Sequence, residues 1–89
     1  MTKEEATEKA RQDLAKRLGV DDGEISEKSV SDNDFPDMAL GAGGPGEMSG
    51  QMITRGWKIE LKAGGQSYEY RADKNQLRLF GFKGKNYKI

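Results

Sequence analysis

From Trp57 to Ala72 apolar and polar residues alternate strictly. Trp57, Ile59 and Leu61 oppose Lys58, Glu60 and Lys62; after Ala63-Gly64-Gly65-Gln66, Tyr68 and Tyr70 oppose Glu69 and Arg71. A period of two on either side of a Gly-Gly break predicts an antiparallel hairpin with one buried and one wet face. The N-terminus has another period. Ala6, Ala10, Leu14 and Leu18 recur every four residues and Ala15 widens the stripe, which predicts an amphipathic helix over 3–18. Thr2 and Glu5 have the spacing of a capping box, Lys16 and Arg17 suit the negative end of the macrodipole, and Gly19 can end the helix left-handed. The small side chains of Ala6 and Ala10 let such a helix lie close to a sheet.

Val20 to Gly23 reads as a turn, and Ile25 to Ser31 as an edge strand. The five-residue spacing of Ile25 and Val30 leaves room for a bulge. Residues 32–50, DNDFPDMALGAGGPGEMSG, hold Pro36, Pro45 and glycines 41, 43, 44, 46 and 50, and predict one long irregular loop lying free at the periphery. Gln51–Arg55 leads as a short strand into the hairpin, and Asp73-Lys74-Asn75 is a turn. Gln76–Phe82 is a strand with Leu77 and Leu79 on one face and Phe80 and Phe82 on the other. Lys83–Ile89 is a basic tail that Tyr87 and Ile89 could tie down. The reading is one α+β domain over 1–89. An N-terminal helix packs on one face of a four-stranded antiparallel sheet, with the Gly/Pro-rich loop between the first strand and a meander over 51–82. The expected core is Leu14, Leu18, Ile25, Trp57, Ile59, Leu61, Tyr68, Tyr70, Leu77 and Leu79.

With 89 residues, 34% of them hydrophobic, and a mean hydropathy of −0.89, that core must be compact. The absence of cysteine removes disulfides and thiolate chemistry, and the absence of histidine removes the commonest zinc ligand and general base. Fifteen basic and fifteen acidic residues cancel, but residues 51–89 carry nine basic and three acidic side chains, leaving the front of the chain acidic. An acidic front facing a basic back within one fold accounts for this. A basic face for an anionic partner is the sharper alternative. No apolar run is long enough to span a membrane, and MTKEEATEKA lacks the apolar centre of a signal peptide.

Gly41-Ala42-Gly43-Gly44-Pro45-Gly46 matches G-x-G-x-x-G, but no helix pattern opens at its third glycine and no βαβ unit surrounds it. Glu47 stands where a phosphate-binding loop needs lysine. Asp32, Asp34 and Asp37 lack the glycine and the third ligand of a calcium loop, since Pro36 interrupts them. Serines are present with no histidine to activate them. No catalytic, cofactor or metal residue is assigned. Aromatics near Lys83, Lys85 and Lys88 suit single-strand nucleic-acid binding, but a domain this small needs those rings in its core. Met38, Leu40, Met48 and Met52 flank the glycine segment. Leu40 and Met52 could fold under it, or the group could form an adaptable apolar surface for a protein partner.

FPDMALGAGGPG, MITRGWKIEL and QSYEYRADKN, with the helix ARQDLAKRLGV, together resemble a small uncharacterised bacterial domain. Its pattern runs Trp-Pro-Asp-x-x-Leu-Gly-Cys-Pro, then an Ile-Thr-Pro-Gly-Tyr-Arg-Ile strand and a Tyr-Glu-Tyr-His-Thr-Asp segment. Phe35 replaces its Trp and Ala42 its Cys, so the disulfide that pattern implies is lost. The element order is also similar to that of PepSY-type domains, which implies a link to peptidases through binding or inhibition. The resemblance favours an exported bacterial protein, although the chain shows neither signal peptide nor disulfide. The function expected is a non-catalytic protein-binding module acting through the 35–51 loop, with Phe35, Pro36, Asp37, Met38, Leu40 and Met48 as contact residues. The alternative is a basic-face binder of nucleic acid or another anion. The chain is expected to be a monomer or a weak homodimer.

Overall fold

The computed structural model describes residues 1–89, and the order of elements is one helix followed by five strands. Helix α1 is Lys3–Leu18, and a single 3-10 turn spans Asp22–Glu24. Strands β1 (Ser26–Phe35), β2 (Thr54–Ala63), β3 (Gln66–Ala72), β4 (Leu77–Phe82) and β5 (Lys85–Lys88) form one sheet in the order β1-β2-β3-β4-β5. Every neighbouring pair is antiparallel. The class is α+β, with the helix on one face of an open sheet. No helix is long and apolar enough to cross a membrane.

The helix ends where its caps dictate. Thr2 Oγ1 accepts from the Glu5 N–H, Glu5 returns a carboxylate to the Thr2 N–H, and Gly19 closes the C-terminus at φ 68°. Ala6, Ala10, Leu14 and Ala15 face the sheet. There they meet Ile59 and Leu61 of β2, Tyr70 and Ala72 of β3, and Leu77 and Leu79 of β4, with Ile25 and Ala63 completing the core. Register explains the convergence: Ile59 pairs with Tyr70, and Tyr70 with Leu79, so one row of the pleat is apolar across three strands. The Tyr70 hydroxyl donates to Asp13 Oδ2 at 2.7 Å, and the same oxygen accepts from Arg17 Nε at 2.7 Å. Burial and that hydrogen bond push the Tyr70 phenol well above its ordinary range, so it stays a donor. Leu18, Trp57 and Tyr68, expected in the core, are only partly buried at its rim.

The structure departs from the sequence reading in five places, the first being that no separate short strand spans Gln51–Arg55: Gln51–Ile53 lie outside the sheet and β2 begins at Thr54. β1 runs on to Phe35, because Asp32–Phe35 pair with Trp57–Thr54 and polar residues cost little on a sheet edge. Its irregularity lies between Glu27 and Ser29, where the register slips. The tail is a fifth strand rather than an appendage. The Lys83-Gly84 hairpin has both residues at positive φ (51° and 81°), a two-residue turn matched to the sheet's twist. Tyr87 then lies edge-on to Phe82 with ring centroids 6.2 Å apart, under the Arg17 guanidinium at 4.6 Å. Phe82 is on the helix side, opposite to the face assigned from alternation. Gly81 at φ 67° makes a bulge that inserts a residue and restores Phe82 to the row of Tyr68. Finally, the glycine-rich loop is not free at the periphery. Its first half lies on the second face of the sheet, with Ala39, Leu40 and Ala42 at most 1% exposed.

Candidate functional site

Residues 36–53 form a strap across the sheet face turned away from α1. Arg71 on β3 and Arg78 on β4 alternate with core residues and therefore point to that second face, where they stand directly opposite each other. Arg71 Nη1 donates to the Leu40 carbonyl at 3.0 Å, and its Nε to Glu69 Oε2 at 2.6 Å. Its guanidinium lies 3.7 Å from the Phe80 ring centroid and 5.4 Å from that of Phe35. Arg78, 4% exposed, grips Glu47 with both nitrogens: Nη1 to Oε1 at 2.8 Å and Nη2 to Oε2 at 2.6 Å. Gln76 Nε2 donates to the Met38 carbonyl at 2.8 Å and Asn86 Nδ2 to the Gly43 carbonyl at 3.1 Å. The strap is thus held largely through its backbone carbonyls and one carboxylate. Those groups need donors rather than bulky side chains opposite them, which is why alanine and glycine suffice along it.

Two backbone features shape the strap. Asp37 Oδ1 accepts from the Ala39 and Gly41 N–H groups, both at 2.9 Å, closing an Asx turn after Pro36. Leu40 has φ 60°, a left-handed conformation that strains a side chain larger than glycine. Gly56 lets the strap's root approach: a Cβ there would meet the Ala72 carbonyl oxygen at 2.2 Å and the Phe35 ring at 3.3 Å.

Of the six expected contact residues, Phe35 and Leu40 are buried against the sheet and Asp37 is spent on its turn, while Pro36, Met38 and Met48 are exposed. Asp32 pairs with Lys3 at 3.6 Å and Asp34 with Arg55 at 3.8 Å, so the three aspartates face different partners. Sequence reasoning named Met52 as a flank of the glycine segment but did not set Ile53 beside it. They are 65% and 72% exposed and, with Met38 and Trp57, line an open groove of about 560 Å³ beside the β3–β4 turn. Gln51, Met52 and Ile53 make no backbone–backbone hydrogen bonds, although they run directly into β2. The signal was available in the QMI triplet: apolar residues that neither alternate with the hairpin nor belong to its core.

Charge on the second face is largely internal. Glu60 lies 3.8 Å from Lys28 and 4.0 Å from Lys58, and Glu69 lies 3.8 Å from Lys58 and 2.6 Å from Arg71. Lys83, Lys85 and Lys88 make no ion pair and are exposed. The Arg78 fork, helped by the Gly44 N–H and by Lys88, holds the Glu47 carboxyl at about 2, below its ordinary value of 4.5. Because the folded value is depressed, the pair's contribution is complete above pH 4.5 and is lost as the pH falls toward about 2. An NMR titration of the Glu47 carboxyl carbon should therefore show its midpoint near 2, with the segment around Glu47 released over the same interval. A midpoint near 4.5 would mean that Arg78 does not hold it.

No curated protein and no solved structure matches the chain. A family model described as a domain of unknown function matches residues 7–80, from the first turns of α1 through Phe80 of β4. The match therefore takes in most of the helix, the whole strap and both arginines that hold it, and the chain belongs to that family, DUF8738.

Proposed function

We propose that this domain is a non-catalytic protein-binding module whose contact surface is the groove of Met38, Met52, Ile53 and Trp57. The observation that carries this reading is a concentration of exposed apolar side chains on a chain that has few to spare. The occupant we favour is an extended segment of a partner protein. Gln51–Ile53 make no backbone–backbone hydrogen bonds next to the groove, where only the Met52 carbonyl is engaged, by the Thr54 hydroxyl at 3.0 Å, and methionines adapt to the side chains such a segment brings. The PepSY-like order of helix and antiparallel strands supports a peptidase, bound or inhibited, as that partner, as does the resemblance to the Trp-Pro-Asp-x-x-Leu-Gly-Cys-Pro type of bacterial domain.

Linear peptides selected from a random display library against the immobilised domain serve as the probe. The double variant Met52→Lys, Ile53→Lys should weaken the selected peptides about tenfold or more, since apolar anchors dominate such sites. Met48→Lys, exposed but outside the groove, should leave binding unchanged. Peptides that bind the double variant as well as wild type would refute the groove.

The second reading, an anion-binding face, is favoured by the three unpaired lysines of the β4–β5 hairpin. It predicts oligonucleotide retention that weakens steeply with salt. It ranks lower because Phe82 and Tyr87 turn inward toward Arg17 rather than outward as stacking platforms.

A further inference from the structure

The strap has two unlike halves. Phe35 and residues 36–42 anchor it, burying Phe35, Ala39, Leu40 and Ala42. Residues 43–50, GGPGEMSG, bury nothing. This second half is a flap attached to the rest by three contacts: the Glu47–Arg78 pair, the Asn86–Gly43 hydrogen bond, and the Met38 N–H to Gly50 carbonyl bond at 2.9 Å. None of its own side chains is buried, its Gly50 end rests on the Met38 side chain, and glycines at 43, 44, 46 and 50 give it freedom to move.

Arg78, the cation that the flap's Glu47 covers, stands in a row of cations across the sheet. Arg78 pairs across the sheet with Arg71 on one side and Lys88 on the other. Like charges directly opposite each other destabilise a sheet, and an apolar row would serve better as a merely structural floor. Arg71 is compensated by Glu69 on its own strand. Arg78 and Lys88 have no carboxylate from the sheet, and the flap's Glu47 is the one acid that reaches Arg78. Glu47 Oε1 also accepts from the Gly44 N–H at 2.9 Å, so the turn that carries it is built around the same carboxylate.

We propose that Arg78, flanked by Arg71 and Lys88, is a gated carboxylate-binding site, and that Glu47 is its built-in competitor. A ligand carboxylate takes the fork that Glu47 holds, and the flap lifts at its glycines. This site is separate from the Met52–Ile53 groove and stands or falls independently of it. The short tether gives Glu47 a high local concentration, so free carboxylates bind the closed form weakly.

The test uses the full chain and its Glu47→Gln variant. Glutamine keeps the oxygen that caps Gly44 and removes the charge that occupies Arg78. Glutarate and an N-acetylated, C-amidated Gly-Glu-Gly peptide are the two probes, followed by the side-chain nitrogen resonances of Arg78. Glu47→Gln should bind at least one of them about tenfold more tightly than wild type, and adding Arg78→Met should abolish the gain. Preference for the peptide identifies a protein acidic side chain as the natural source. Equal binding identifies a free carboxylate. If Glu47→Gln loosens the strap without any gain in carboxylate affinity, the pair is a structural clasp and the proposal is overturned. Should Glu47→Gln lose the dispersed amide spectrum of the sheet, Glu47→Asp replaces it. Aspartate keeps the charge but shortens the reach, and it should show a smaller gain in the same direction. No gain there is equally fatal.

Discussion

Leu61→Ala should lower the unfolding free energy by about 2–5 kcal/mol. Leu61 is fully buried toward the C-terminal end of β2, where it pairs across the sheet with Tyr68. The cost includes both the lost transfer energy and the cavity left behind. Collapse into that cavity is hard, because the helix lays Ala6, Ala10 and Ala15 against the sheet and none of them can extend into the space. Small domains have roughly 5–15 kcal/mol in hand, so the loss is a large share of the total. Urea denaturation reads it as a lower midpoint at nearly unchanged slope. A wild-type midpoint would mean that the Trp57–Leu61 row does not face α1.

Arg78→Met should release the flap while leaving the sheet intact. Methionine keeps much of the apolar stem and removes the fork that holds Glu47. The Glu47 N–H bonds the Gly44 carbonyl at 3.1 Å, and the Gly44 N–H bonds Glu47 Oε1 at 2.9 Å. Both bonds lie within the flap and depend on its being held in place. Amide exchange at Gly44 and Glu47 should accelerate about tenfold or more, as expected for losing charge-assisted hydrogen bonds. Amides of Tyr70 and Leu79, in the centre of the sheet, should keep their protection. Uniform loss across the sheet would instead make Arg78 part of the global fold.

The helix and the central hairpin were legible in the chain because each carries several concordant signals. A four-residue repeat, a capping box and Gly19 agree on α1. Strict alternation around Gly64-Gly65, both at positive φ, agrees on β2 and β3. β5 was missed because its turn is Lys83-Gly84 rather than Asn-Gly, and because its composition reads as a solvated tail. Phe82 was assigned to the wrong face because a single bulge at Gly81 inverts an alternation that otherwise holds. The strap was illegible for a different reason. Hydrophobic patterning finds buried side chains, whereas the strap is bound by its carbonyls to Arg71, Gln76, Arg78 and Asn86. On strands with one apolar row, those arginines read as ordinary wet-face charge. Of the candidate contact residues, Pro36, Met38 and Met48 remain on the surface. Phe35 and Leu40, the most apolar of the set, are what anchors the strap.

The account turns on both faces of the sheet being covered, one by α1 and the other by the strap. The most direct measurement is the NMR spectrum of the arginine side chains at neutral pH. If the strap is docked, the Nη protons of Arg78 should appear as resolved, slowly exchanging signals with cross-peaks to Glu47 and Ala42, and those of Arg71 with cross-peaks to Leu40 and Gly41. Averaged, fast-exchanging guanidinium signals with no cross-peak to residues 36–50 would contradict it.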